Sequence, residues 1–153
     1  MLLKEAFELG VGSIFGSYSG IITSLGLILG MYGGGLNKRA FIIALLSLSM
    51  SDSFSDAFGI YNATEQSWKQ GLNTFISKFI YPLLMIIPFL LTTIKYAVFI
   101  NVLFGSIILA FVSHKLLGTI DGMLINVTLT WMVITLIYFI SGHIEKINVK
   151  NFF

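Results

Sequence analysis

Five long apolar segments restrict what this chain can fold into more than any other feature. A helix that crosses the roughly 30 Å hydrocarbon layer of a bilayer needs about 20 consecutive, mostly apolar residues. Lipid offers no partner for backbone N–H and C=O groups, so segments of this length favour helices over the strands of a barrel. The sequence therefore predicts an all-α integral membrane protein, a single domain over residues 1–153 with five transmembrane helices. The predicted spans cover approximately residues 10–32, 40–61, 74–92, 96–117 and 122–144.

Composition supports this class and excludes several others. The chain is 56% hydrophobic and 10% charged, with a mean hydropathy of +0.92, whereas soluble domains carry about 25% charged residues. A net charge of +2 is too small to indicate nucleic-acid binding. Without cysteine there is no disulfide framework, thiolate metal site or cysteine nucleophile. The links are too short for a soluble catalytic module, so we expect no enzyme.

The polar links give little information on orientation. The first apolar segment is followed by "GGGLNKR" and not by a small-residue cleavage motif, so we expect a retained span. Five spans place the two ends of the chain on opposite sides of the membrane. This topology assigns four basic residues to one side and five to the other, which leaves orientation open. The two groups are Lys4, Lys69, Lys78 and Lys115, and Lys38, Arg39, Lys95, Lys146 and Lys150.

A row of glycines marks the first span. At about 100° per residue, five glycines fall within roughly a third of the helix circumference, and Ser19 and Thr23 share that stripe. Small residues in a row let helix backbones approach closely in membranes. The stripe either packs inside one subunit or meets its copy across a two-fold axis, and it is compatible with lining an ion path. The glycines are Gly12, Gly16, Gly20, Gly26 and Gly30.

Two aspartates in "SMSDSFSDAFGIY" are the main candidates for function. Asp52 and Asp56 lie one helical turn apart and differ by about 40° around the helix. Ser49, Ser55 and Gly59 share their arc of about 120°, while Met50 lies about 160° from Asp52 on an apolar face. The second span therefore has a narrow strip of acids and hydroxyls.

An aspartate near the bilayer centre costs at least about 2.5–3.5 kcal/mol. Two carboxylates one turn apart can share a proton or a cation, and oxygen ligands suit ions such as Mg²⁺, Mn²⁺ or Fe²⁺. Asp52 and Asp56 are therefore predicted to bind a cation or proton, with Ser49, Ser55, Ser19 and Thr23 supplying neutral oxygens. The alternative is that both acids face interfacial water near a helix end.

Taken together, these motifs resemble the vacuolar iron transporter family. The resemblance rests on "FGSYSGIITSLGLILG", "SLSMSDSFSDAFGIY", "YPLLMIIPFLL" and "LLGTIDGMLIN", over about residues 7–144. It implies a homodimer of five-helix subunits that moves Fe²⁺ or Mn²⁺ in exchange for protons, along a path between the first two helices of both subunits. It also implies that Met50 belongs to the metal path, although core packing is an alternative role for Met50.

The chain departs from the family pattern at key positions. Ser19 stands where the family usually has an aspartate in the first helix. Ser53, Phe54 and Ser55 stand at the glycine–glutamate–tyrosine positions of eukaryotic members. The short link after the second helix also leaves no room for the cytoplasmic metal-binding insert of plant and yeast relatives. We hypothesise that the carboxylates have moved from the first helix to the second.

The sequence thus predicts a multi-pass transporter for Fe²⁺ or Mn²⁺, with no permanently bound cofactor. Its expected partners are a second copy, the lipid bilayer, metal cations and protons. The alternative is a non-transporting membrane assembly or binding module with the same fold. Of the remaining polar residues, Asp121 is predicted to cap the fifth helix, and Asn101 and Asn126 to hydrogen-bond across helices.

Overall fold

The computed structural model describes residues 10–147, apart from the side chains of Leu116 and Leu117. Within this range the chain forms five α-helices, each long and apolar enough to cross a membrane by length and composition. The all-helical class and the membrane character predicted from the sequence are confirmed. The helices are α1 (Val11–Gly33), α2 (Lys38–Ala63), α3 (Trp68–Leu91), α4 (Ile94–Leu117) and α5 (Ile120–Lys146).

The start of α3 differs most from the sequence prediction. The helix begins at Trp68 and not near residue 74, so only residues 64–67 separate it from α2. Polar residues at a helix end keep their side chains at the surface, so they do not prevent the helix from starting early. As a result Lys78 lies about 15 Å inside α3 at 1.5 Å per residue. The count of surface charges that placed Lys78 at a membrane face was wrong.

Helix α1 is the centre of the bundle and contacts all four other helices, while α2 and α3 form an extensive antiparallel hairpin. The buried core groups large side chains from α1, α2 and α3 with smaller contributions from α4 and α5. Many large apolar side chains remain on the outside, as expected for a surface that faces lipid and not water. Fully buried members of the core include Ile21, Leu25, Ile28, Phe41, Leu45, Met85 and Phe89.

The glycine stripe of α1 packs within one chain and meets two different helices. Gly12 and Gly16 lie directly against the α3 backbone, where an added Cβ would be 2.1 Å from the Gln70 oxygen and 2.6 Å from the Thr74 oxygen. Gly20 lies against Lys78 in the same way. The stripe therefore brings α1 to within backbone contact of α3 over its first half.

The second half of the stripe turns toward α5. Gly26 and Gly30 face Ile137, with their added Cβ atoms 3.5 and 3.0 Å from its side chain. Both glycines also line an apolar groove of about 770 Å³ between α1, α2 and α5. The spacing predicted one continuous stripe, but the packing of α1 divides it between α3 and α5.

The start of α5 shows a local capping error in the sequence prediction. Thr119 is the N-cap, and its side chain accepts a hydrogen bond of 3.2 Å from the Gly122 N–H. Asp121 lies in the first turn, where its charge favours the positive end of the helix dipole. The assignment of Asp121 as the cap was wrong because a threonine two residues earlier already has extended backbone and a suitable oxygen.

Removal of this cap gives a simple stability prediction. Thr119→Ala should lower the free energy of unfolding by about 1 kcal/mol, because the Gly122 N–H loses its partner. Asp121→Ala should cost only about 0.3–1 kcal/mol through the helix dipole. Chemical unfolding in mixed detergent micelles measures both values. A larger loss for Asp121→Ala than for Thr119→Ala would contradict the assignment of the cap.

The two intramembrane asparagines bond across helices as predicted. Asn101 on α4 donates to the Met85 carbonyl of α3 at 2.9 Å. Asn126 on α5 accepts a 2.6 Å hydrogen bond from the Tyr18 hydroxyl and lies 3.4 Å from Ser113. These contacts fix the rotation of α1, α3, α4 and α5 relative to one another.

Candidate ion site

Three ionisable side chains meet where α2 packs on α3. The ammonium Nζ of Lys78 lies 2.7 Å from Oδ2 of Asp52 and also contacts Oδ2 of Asp56. The two aspartates reach the same lysine because they are one turn apart on the face of α2 that meets α3. We call these three residues the acid–lysine cluster.

A hydroxyl from α1 completes the cluster. Lys78 donates to Oγ of Ser19 at 2.9 Å, and the Ser19 hydroxyl donates to Oδ2 of Asp56 at 3.1 Å. An ammonium group has three N–H donors. Here it has three oxygen neighbours, supplied by Asp52, Asp56 and Ser19. The ammonium group of Lys78 thus occupies the space between the carboxylates of Asp52 and Asp56.

The cluster lies far from both ends of its helices. Asp52 is about 16 Å from the Ala63 end of α2 at 1.5 Å per residue, and Lys78 is about 15 Å from the Trp68 end of α3. Charges at such depth in a membrane-spanning helix are costly unless they are paired. The pairing of opposite charges explains how both helices tolerate them.

Burial within the cluster is uneven. The Lys78 side chain is 2% exposed, whereas those of Asp52 and Asp56 are 29% and 23% exposed. Both carboxylates use their Oδ2 atoms toward the lysine. The side chain of Lys78 is therefore enclosed, and the carboxylates of Asp52 and Asp56 form the exposed side of the cluster.

Two polar side-chain atoms of α2 lack a hydrogen bond within residues 10–147. They are Oδ2 of Asp52 and Oγ of Ser53, and both are buried. Oδ2 of Asp52 is close enough to Lys78 for an ion pair, but the contact lacks the alignment of a hydrogen bond. Asp52 therefore pairs with Lys78 through charge and proximity and not through an aligned hydrogen bond.

The structure brings together only part of the set predicted from the sequence. Asp52, Asp56 and Ser19 meet, whereas Met50 is 57% exposed on the opposite face of α2, so Met50 takes no part in this cluster. Ser55 is also exposed.

The remaining predicted hydroxyls bond to their own helices. Ser49 is buried and donates to the Leu46 carbonyl at 2.8 Å. Thr23 donates to the Ser19 carbonyl at 2.8 Å and lines the apolar groove. Such bonds to a carbonyl in the preceding turn are common for serine and threonine in helices. Neither hydroxyl contacts the aspartates.

Lys78 is the member of the acid–lysine cluster that the sequence analysis did not predict. Its signal was present: a lone basic residue between the apolar runs "TFIS" and "FIYPLLMIIP". Thr74 and Pro82, four residues to either side, are also buried on this face of α3. The predicted start at residue 74 put Lys78 only one turn from the helix end, so it was counted among the charges at the membrane surface.

Pro82 removes one backbone hydrogen bond from α3 next to the acid–lysine cluster. Pro82 has no N–H, so it cannot supply the helical hydrogen bond that the carbonyl of Lys78 would accept. This carbonyl lies against α1, 3.3 Å from the position of a Cβ on Gly20. The turn of α3 that carries the lysine therefore has one helical hydrogen bond fewer than a regular helix.

The donor set limits which ions the cluster can hold. In the part of the chain that the structure describes, no three His, Cys, Asp or Glu side chains are grouped so as to hold a metal ion. In their ionised forms the two acids and the lysine carry a net charge of −1. A metal ion would have two carboxylates and nearby hydroxyls as ligands, and it would compete with the ammonium group.

Comparison of the chain with protein-family models, curated proteins and solved structures finds no match among any of the three. The resemblance to the vacuolar iron transporter family therefore rests on the sequence motifs alone.

Proposed function

We propose that the protein is a membrane transporter for small cations, with Asp52, Asp56 and Lys78 forming its ion site. One observation supports this proposal above all: an acid–lysine cluster with net negative charge lies midway along helices long enough to span a bilayer. Ionisable residues at this depth are characteristic of ion pathways and proton relays. The partial exposure of both carboxylates gives an ion a route of approach.

The proposed substrates are Fe²⁺ and Mn²⁺, which the sequence resemblance implies, with protons as the exchanged ion. Carboxylate and hydroxyl oxygens are suitable ligands for hard or borderline divalent cations. No permanently bound cofactor is required.

We also propose that the protein acts as a homodimer. Ionised oxygens that face hydrocarbon are costly, and the exposed sides of Asp52 and Asp56 need water or protein beside them. A second copy facing α1 and α2 would enclose a wet path between the subunits. Crosslinking of single cysteines placed on α2 in vesicles would test this arrangement.

Replacement of one acid tests the transport proposal. Asp52→Asn should lower Mn²⁺ uptake about tenfold or more, because the cluster loses its net negative charge while Asp56 still pairs with Lys78. Uptake is measured in proteoliposomes that contain a Mn²⁺-sensitive dye, and proton movement is followed with a pH-sensitive dye. The same assay repeated with Fe²⁺ under reducing conditions covers the second proposed substrate.

The matched control is Asp121→Asn, which removes an exposed acid from the first turn of α5. This variant should transport like the unmodified protein. Equal uptake by the Asp52→Asn and unmodified proteins would rule out the site. A complete lack of flux for every ion tested in the unmodified protein would rule out transport itself.

A second candidate is the non-transporting assembly or binding module. It is favoured by the ion pairs of Lys78, which hold α2 against α3 without any external cation. In that case the cluster would serve packing alone. A folded protein that shows no flux while its acid–lysine variants lose stability would support this second candidate.

A further inference from the structure

The geometry points to Lys78 as a residue that competes with divalent cations for the two aspartates: we infer that a divalent ion binds Asp52 and Asp56 only when the lysine's ammonium group leaves them. This inference rests on the proposed function, since it concerns the same site. It assigns to Lys78 a role beyond pairing charges between helices.

The ammonium group of Lys78 occupies the place that a bound cation would need. Nζ of Lys78 lies among Oδ2 of Asp52, Oδ2 of Asp56 and Oγ of Ser19, within 3 Å of the first and third of these atoms. A cation that used both Oδ2 atoms would need this same place. Because the lysine is 2% exposed and lies behind the acids, an entering ion meets the carboxylates first and the competing ammonium second.

The charges of the cluster also favour displacement of the ammonium group by a divalent ion. With Lys78 in place the cluster carries −1, and a bound divalent ion would change this to +1. Without the ammonium the two acids carry −2, and the same ion would neutralise them. Two cations between the same pair of carboxylates would repel each other strongly in a low-dielectric interior, so binding by displacement of the ammonium is favoured over binding by addition.

The hydrogen bonds that hold Lys78 are incomplete. Pro82 removes the hydrogen bond of the Lys78 carbonyl, and the contact to Asp52 lacks hydrogen-bond alignment. The ammonium group therefore makes two hydrogen bonds, to Asp56 and Ser19, where it has three donors, and its backbone turn lacks one helical hydrogen bond.

Binding of Mn²⁺ to purified variants tests the inference. Lys78→Met keeps an apolar stem of similar length but removes the charge, and its dissociation constant for Mn²⁺ should fall at least about tenfold relative to the unmodified protein. The measurement is the rise in unfolding temperature with MnCl2 in detergent, with NaCl at equal ionic strength as the reference. Unchanged Mn²⁺ affinity in folded Lys78→Met protein would overturn the inference.

A charge-matched variant separates exchange from a general loss of packing. The double variant Asp52→Asn with Lys78→Met has the same net charge of −1 as the unmodified cluster but only one carboxylate. It should show no gain in Mn²⁺ affinity. A gain equal to that of Lys78→Met would show that loss of the lysine acts through structure and not through the freed pair of acids, and this would contradict the inference.

Folding and function can be distinguished in the same series. Should Lys78→Met be recovered unfolded, Lys78→Gln carries the test, because its amide still donates to the carboxylates. Absence of a Mn²⁺ gain in folded Lys78→Gln then overturns the inference. One combination of results separates the two proposals. If Lys78→Met binds Mn²⁺ more tightly but the unmodified protein transports no ion, the transport proposal is refuted and the competition of Lys78 with Mn²⁺ is supported.

Discussion

Replacing Asp52 and Asp56 together by asparagine is expected to lower the free energy of unfolding by about 3–5 kcal/mol. The double variant leaves the Lys78 ammonium 2% exposed with no counter-charge among its described neighbours, although Ser19 still accepts from it. Removing one side of a buried ion pair is far more costly than removing both sides. Reversible unfolding in mixed detergent micelles measures the loss.

The triple variant that adds Lys78→Met is the decisive control. It removes the stranded charge, so it should recover most of the stability that the double variant loses. Asp52→Asn alone should cost about 1 kcal/mol, because Asp56 and Ser19 continue to hold the lysine. If the triple variant were as unstable as the double variant, the loss would not come from the ammonium group, and the ion-pair account of the cluster would fail.

Substitution of the first-half glycines of α1 should have the second large effect. Gly12→Ala and Gly16→Ala are each expected to cost about 1–3 kcal/mol or more, since the added methyl would overlap the backbone oxygens of Gln70 and Thr74. Backbone cannot turn aside as a side chain can, so α1 and α3 must separate. The separation would also break the 2.8 Å bond from the Gly12 N–H to the Gln70 side chain.

Gly26→Ala provides the matched control on the same helix. Its added methyl would meet only the tip of Ile137, at 3.5 Å, which is ordinary van der Waals contact. Stability should therefore change little or rise slightly, since alanine favours helices over glycine by up to about 1 kcal/mol. Equal losses at Gly16 and Gly26 would mean that the division of the stripe between α3 and α5 is wrong.

The glycine stripe and the acid–lysine cluster meet where α1 packs on α3. The close approach of α1 to α3 at Gly20 brings Ser19 within reach of Lys78. A methyl on Gly16 should therefore disturb the hydroxyl that holds the ammonium as well as the packing of the two helices. The glycine stripe supports the candidate ion site through backbone position and not through any direct contact with an ion.

The polar network on the other side of α1 has a related role. Tyr18 donates to Asn126 at 2.6 Å, and its hydroxyl also lies 3.3 Å from Oγ1 of Thr130. Tyr18 and Ser19 are neighbours in sequence but point to different helices, so the bond to α5 fixes the rotation of α1 that turns Ser19 toward α3. Hydrogen bonds between membrane helices are individually modest, which suits a positioning role.

The sequence alone determined the helices and the acidic strip. Apolar runs of about 20 residues leave the backbone no alternative to helix in lipid, so all five elements followed from length and composition. Helical periodicity placed Asp52 and Asp56 on one face and Met50 on another, because the angle between residues of one helix is a local property. The stripe of glycines was visible for the same reason.

Only the tertiary structure decided which faces meet. Membrane helices are apolar on nearly all sides, so hydrophobicity does not identify the inward face as it does in a soluble protein. The choice of Lys78 as the partner of Asp52 and Asp56 depended on the α2–α3 hairpin and on the early start of α3. The division of the glycines between α3 and α5 likewise follows from the way the helices pack, which no periodicity in the chain encodes.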